Sequence, residues 1–397
     1  MSTGASERSG IARCAQGEGC SRAAAADVIA PKALAPLDVS VCARGMAGAM
    51  PCVTRDASRC VCLFLARAPV QDVLDAAQQV GDGRPLTSLA ACLELDTHPC
   101  SSYTRRVLQA ALSSWPGGDE DSDATEELHE HLAAALLQAQ SEDSRLWMHR
   151  RYSLSSGASL WVKASGDCLA AQTGGFVWPC GLELARIALR KPEMFNGHRI
   201  LELGAGTGVA ALILATHTSP AALLVSDGNA DAVANIATNF KLNAVPHCAV
   251  ADAWHASKVT DVESTPRVFP LHWSDVTPDL ATALAPTLVV AADVCYDPED
   301  APELARALEL LLKPRDATPQ PTALILLTQR SEHTVAAFQA AWRAERLEVR
   351  DQTAALLSGG STNNDTPDFL HLPRIQQQHG GFVRAFTLEW PLPCGTV

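Results

Sequence analysis

The chain has 397 residues, of which 47% are hydrophobic and 19% charged, and a formal net charge of −13. That balance describes a globular protein and excludes a disordered or fibrous one, and no apolar run is long enough to span a bilayer. The acidic excess argues against direct binding of nucleic acid through its phosphates, which needs clustered Lys and Arg, and suits a basic protein partner instead. The 13 cysteines are odd in number and include no C-x-x-C pair, so neither a zinc ribbon nor a disulfide framework is supported. Reduced thiols in the cytosol or nucleus are expected, with a cytoplasmic location adopted.

In chain order, residues 1–67 are rich in Ala, Cys, Arg and Gly, are broken by Pro31, Pro36 and Pro51, and read as unstructured. Arginines there suggest a transit peptide, but Glu7, Glu18 and Asp27 oppose it, and Met46 or Met50 offers an alternative start. Residues 68–150 read as a helical domain. Val70, Val73, Leu74 and Ala77 form one apolar stripe, Tyr103, Val107, Leu108 and Leu112 another, and Leu128, Leu132, Leu136 and Leu137 a third within 124–140. A loop is expected at 114–123.

After Arg151 the period changes to two. Tyr152 and Leu154, then Ser156-Gly157, then Leu160 and Val162 predict a β-hairpin over 151–165. Strands are predicted at 199–204, 222–227, 268–273, 288–294 and 323–328, with helices between most of them. Such alternation implies an α/β fold around a mostly parallel sheet, spanning 151–397. Residues 382–390 read as a terminal strand, and 358–378 as a polar inserted loop.

Chemistry concentrates at the strand ends. Leu201-Glu202-Leu203-Gly204-Ala205-Gly206-Thr207-Gly208 runs from a buried strand into a glycine-rich turn, where backbone can approach a ligand unobstructed by Cβ. A dinucleotide fingerprint needs glycine at 209, which is Val209; the spacing suits a cofactor without a pyrophosphate, held by its amino-acid end and ribose. Asp227 lies where a ribose-binding carboxylate is expected, although Asp227-Gly228-Asn229 also reads as a turn. Trp178 precedes Pro179, which opens a helix, and packs in the core or beside a ligand. Trp273 ends the third strand, where its ring could cover an adenine. Ala292, Asp293 and Tyr296 close the fourth strand, at the edge where open α/β sheets bind ligands; the plainer role for Asp293 is capping a helix near Pro298.

Taken in order, G-G-F-V-W-P, L-E-L-G-A-G-T-G, L-H-W-S-D and A-A-D-V-C-Y resemble the seven-strand protein-lysine methyltransferases marked by a D-x-x-Y motif. The elongation factor 2 lysine methyltransferase family is the nearest likeness, through the segments 98–105, 152–159 and Thr328-Gln329-Arg330. The resemblance covers about 70–390 and implies a Rossmann-like seven-strand sheet with its last strand antiparallel. It implies S-adenosylmethionine as cofactor, contacted by Trp178, Glu202, Gly204, Gly206, Asp227, Trp273 and Ala292, with Ala205 and Gly208 completing the turn. It also implies Asp293 and Tyr296 facing the lysine of a protein substrate, elongation factor 2, with no metal and a monomeric enzyme. Two alternatives stand beside it: the same fold acting on another protein or a small molecule, and a cofactor-binding module without catalysis.

Overall fold

The computed structural model of the chain describes residues 55–80, 84–96, 100–115, 122–138, 147–166, 173–258, 265–294, 296–315, 320–357, 369 and 382–391. All of them lie in one compact unit, Met46–Val397.

Helices α1 (Arg55–Leu65), α2 (Val70–Gln78), α3 (Pro85–Glu94), α4 (Ser101–Ser114) and α5 (Ser122–Gln138) come first. Their inward faces share a core that includes Phe64, Leu89, Tyr103, Leu108 and Leu128; Leu136 and Leu137, expected to continue the third stripe, are instead exposed on the last turn of α5. Here the expectation of unstructured chain as far as Arg67 is corrected. Cys60, Leu63 and Phe64 turn one face of α1 into that core, with cysteine behaving as a small hydrophobe. Arg67 itself pairs with Asp96 at 2.8 Å, both side chains almost wholly buried, and donates to the His149 carbonyl at 3.2 Å. A boundary at 67 therefore cuts through a packed region. Of the expected loop at 114–123, Ser122 already opens α5, and 116–121 lie outside the described residues.

The hairpin pairs β1 (Trp147–Ser153) with β2 (Ser159–Ser165), four residues longer at its start than the period-two pattern implied. Tyr152, Leu154, Leu160 and Val162 face inward and are buried. Gly157 turns the chain at φ 86°. Phe369 bridges to Leu154 and sets its ring edge-on to Tyr152 at 5.8 Å; the rest of 358–378 lies outside the described residues.

Strands and helices then alternate: α6 (Pro179–Arg190), β3 (Arg199–Leu203), α7 (Val209–His217), β4 (Ala222–Asp227), α8 (Ala230–Leu242), β5 (Cys248–Ala249), α9 (Ala253–Lys258) and β6 (Arg267–Pro270). They continue as α10 (Pro278–Leu284), β7 (Leu288–Ala292), α11 (Ala301–Leu312), β8 (Thr322–Gln329), α12 (Glu332–Ala344), β9 (Glu348–Asp351), α13 (Thr353–Leu357) and β10 (Phe382–Glu389). The sheet order is β5-β6-β4-β3-β7-β8-β10-β9. All pairings are parallel except those of β10, which runs antiparallel between β8 and β9. The expected seven strands are present, with the two-residue β5 added at one edge.

The β4 residues are all buried, as are nearly all of β3, β7 and β8. Their burial, in runs that are mostly apolar, follows from helices covering both faces. Chain order turns back between β3 and β7, since β4 and β6 lie on one side and β8 on the other. At such a switch point the loops diverge and leave a crevice at the carboxyl ends of the strands. The strand expected to reach Trp273 stops at Pro270. Its partner β4 ends at Asp227, whose carbonyl takes a last bond from Leu271 N–H at 3.0 Å, and Trp273 instead opens a short 3₁₀ turn capped by His272.

Candidate active site

The end of β3 runs into Gly204 and Gly206 at φ 60° and 57°, the left-handed region that glycine enters without penalty. A Cβ on Gly204 would stand 2.4 Å from Cγ1 of Val294, just past β7. The two strand ends approach closely because neither a side chain nor its bulk intervenes. Ala205 N–H donates to the Ser226 carbonyl at 2.9 Å, and Gly208 at φ 73° is the N-cap of α7.

Asp227 forms the turn that its sequence context suggested, and it stands at the cavity where a ribose-binding carboxylate was expected. Its Oδ2 accepts from Gly206 N–H and its Oδ1 from Asn229 N–H, each at 2.9 Å, which makes it a turn former; it also lines the cavity beside the turn. One lone pair on each oxygen is left for a ligand. Burial raises its pKa, and the two backbone bonds oppose that rise. Glu202, one pleat behind the turn, is 2% exposed. Burial, then the neighbouring Asp227, pushes its carboxyl up to about 8, and its Oε2 accepts no hydrogen bond among the described residues. A buried acceptor left in this state is costly unless a donor arrives.

The cavity at the strand ends is about 250 Å³. Trp178, Gly204, Gly206, Asp227, Trp273 and Ala292 line it, and so do Asp293 and Tyr296. Glu202, Ala205 and Gly208 do not reach its surface. Trp178 packs edge-on against Phe176 at 5.0 Å and under the Arg330 guanidinium at 5.2 Å.

Asp293 does not cap the helix near Pro298; Asp297 caps that turn. The Asp293 carboxylate instead reaches the start of α6, accepting from Cys180 N–H at 3.2 Å, and it takes both the N–H and the hydroxyl of Thr328, at 2.9 and 3.0 Å. It sits at φ 57°, a conformation that Asp tolerates better than most residues. These bonds hold a negative charge still at the cavity wall while leaving Oδ1 room for one more donor. Tyr296 is half exposed at the mouth.

His272, Asp300 and Glu303 also line the cavity and were not singled out from the sequence. Glu303 pairs with His272 at 3.2 Å. Desolvation raises the pKa of Asp300, with Asp297 and Glu303 adding to it. In sequence these acids are indistinguishable from the usual acidic first turn of a helix, here α11.

A family model described as lysine methyltransferase matches residues 143–341. The chain belongs to this family. The protein-lysine N-methyltransferase EEF2KMT of Homo sapiens is 30% identical over 216 residues, 54% of this chain and 62% of that one. The Bos taurus protein of that name is 32% identical over 247 residues, 61% and 71%. The match thus spans less than two thirds of the human relative. The calmodulin-lysine N-methyltransferase of Arabidopsis thaliana is 32% identical over 143 residues, 36% and 41%. Among solved structures, M. jannaschii TYW2 in complex with AdoMet is 13% identical, covering 58% of this chain and 83% of that one, with a TM-score of 0.33; the strand order, not this likeness, carries the fold.

S-adenosylmethionine is the cofactor, and the residues present fit it. Gly206 leaves open the space a Cβ would fill, its first neighbour there being the Gly174 carbonyl at 3.5 Å, and Asp227, with one lone pair left on each carboxylate oxygen, lines the same cavity.

Proposed function

We propose that the protein transfers a methyl group from S-adenosylmethionine to a lysine side chain of a protein, and that elongation factor 2 is that protein. The observation that carries the reading is one cavity in which the glycine turn and Asp227 face Asp293 and Tyr296, on a chain of the lysine methyltransferase family.

When bound, the cofactor supplies a methyl group already activated on a sulfonium. Asp227 would hold the ribose, the Gly204–Gly206 backbone would receive the amino-acid end, and Trp273 and Trp178 would flank the site with their rings. The protein's remaining task is to bring a neutral amine into line behind the methyl. A free lysine has a pKa of about 10.4, so neutralising it near pH 7 costs on the order of 4–5 kcal/mol.

Asp300 and Glu303 draw the ammonium toward the mouth, and Asp293, fixed by Thr328 and Cys180, orients it. A carboxylate favours the charged amine, so Asp293 is not the activating group. Activation comes from moving the lysine out of water beside a positive charge, a combination that lowers a lysine pKa by about 3–5 units. Tyr296 shapes the channel through which the side chain passes.

Purified protein and radiolabelled S-adenosylmethionine, incubated with purified elongation factor 2, should label a lysine of that protein. Absence of label there, with another protein labelled in a cell extract, would retain the activity and discard the substrate. The Arabidopsis calmodulin-lysine relative makes calmodulin the first alternative to include.

A further inference from the structure

Helix α8 carries Asn235 and Asn239 and is capped by Asn243, the three four residues apart and so along one face. That face lies along β2. Asn239 Oδ1 accepts from Lys163 N–H at 2.7 Å and Nδ2 donates to the Lys163 carbonyl at 3.1 Å. Asn243 does the same for Trp161, at 2.8 and 2.6 Å, and Asn235 adds a second donor to the Lys163 carbonyl at 3.1 Å. Four residues of helix rise about 6.0 Å and two residues of strand about 6.8 Å, so the asparagine amides meet alternate strand residues almost in register. The helix thus supplies β2 with the hydrogen bonds that a third strand would have made.

Asn239 differs from its neighbours in one bond. Its Nδ2 also donates to the carbonyl of Thr207, at 2.9 Å, inside the glycine-rich turn. The side chain is fully buried, and both donors and its oxygen are used. The matching extra bond of Asn243 stays within its own helix, on the Asn239 carbonyl. The same helix sets Ile236 against Gly208 and Ala232 against Gly174, at distances where an added Cβ would fall 3.1 and 2.6 Å away. Helix α8 is therefore wedged between the hairpin and the backbone that cradles the ligand.

We infer that Asn239 is a positioning residue that couples the β1–β2 hairpin to the glycine-rich turn, so that the Lys163–Asn239–Thr207 path, and not the hairpin's other bonds to α8, sets the affinity for S-adenosylmethionine. The proposal rests on the cofactor reading above. Without the Asn239 amide the buried Thr207 carbonyl has lost a donor, and the turn moves to find another. Gly206, whose N–H is held by Asp227, moves with it. By linkage, a bound cofactor tightens the hairpin on α8 as much as the hairpin tightens the cofactor.

The test compares Asn239→Ala with Asn243→Ala in the full chain, measuring S-adenosylmethionine affinity by calorimetry and Tm alongside. Each variant breaks two bonds to the hairpin and lowers Tm; Asn239→Ala alone frees the turn. The expected result is a cofactor Kd about tenfold weaker for Asn239→Ala, within the usual range of site-to-site coupling, and no more than about twofold weaker for Asn243→Ala. Equal effects, or none, would overturn the proposal. A wild-type chain that binds no S-adenosylmethionine would overturn the cofactor reading itself and this proposal with it. Should Asn239→Ala not fold, amide exchange on the wild type decides: adding cofactor slows exchange at the Lys163 amide more than at the Trp161 amide. Equal slowing at both refutes the coupling.

Discussion

Asp293 and Thr328 are joined twice, the backbone N–H of Thr328 to Oδ1 at 2.9 Å and its hydroxyl to Oδ2 at 3.0 Å. The pair locks the loop after β7 to the end of strand β8, and through Cys180 N–H to the start of α6. The residue proposed to meet the substrate lysine is thus also a structural tie, and its substitutions must be read on both counts.

Asp293→Ala is expected to cost on the order of 3 kcal/mol of stability, since it removes charge-assisted hydrogen bonds and places alanine in a left-handed conformation worth about 1–2 kcal/mol of strain. Asp293→Asn keeps the shape and tolerates that backbone. It should lower Tm far less while reducing methyl transfer about a hundredfold, with S-adenosylmethionine binding within a few-fold of wild type. Thermal unfolding, calorimetry and a methylation assay on both variants check this; near-full activity in Asp293→Asn would remove the residue from the lysine site.

Gly204→Ala and Gly206→Ala should fail differently. At Gly204 the new methyl meets Val294 at 2.4 Å, whereas at Gly206 its first contact is the Gly174 carbonyl at 3.5 Å. Both variants carry left-handed strain of about 1–2 kcal/mol, but only Gly204→Ala also forces the β3 and β7 ends apart. The expected outcome is a larger Tm loss for Gly204→Ala, and for Gly206→Ala a cofactor Kd raised at least about tenfold with a smaller loss of stability.

Glu202 predicts a pH dependence. Its folded pKa of about 8 lies above its ordinary 4.5, so the folded protein binds the proton more tightly than the unfolded chain. The stability linked to that proton is fully present below pH 4.5 and is lost as pH rises through 8. Asp227 is shifted in the same direction. The cofactor-free protein should therefore lose stability between pH 5 and 8, and Glu202→Gln should flatten the profile.

Asp300→Asn and Glu303→Gln should raise KM for the protein substrate a few-fold, leaving kcat and cofactor Kd unchanged. Both side chains line the mouth beside Tyr296. Their pull on a cation is largely electrostatic and is screened beyond about 8 Å at physiological salt. The difference from wild type should therefore shrink as salt is raised, and a salt-independent KM would place the substrate elsewhere.

What the sequence determined by itself is the part written in local chemistry. The L-E-L-G-A-G-T-G run announces a strand, a glycine turn and a helix because Gly204 and Gly206 must adopt conformations that other residues resist. The mostly apolar runs of β4 and β7 announce buried parallel strands, and the spacing of Asp227 and Asp293 after them places both at one sheet edge. Helix α1 is not legible in the sequence because its inward face is built partly of cysteine, in a segment that follows Pro51 and is too short to show a sustained apolar period. Only the tertiary structure decided who meets whom. Asp293 is 35 residues from Thr328 and 113 from Cys180, Asn239 is 76 from Lys163, and the acids of α11 become a cavity wall solely because the chain turns back between β3 and β7. Periodicity reports which face of an element is buried; it carries no record of the distant partner that buries it.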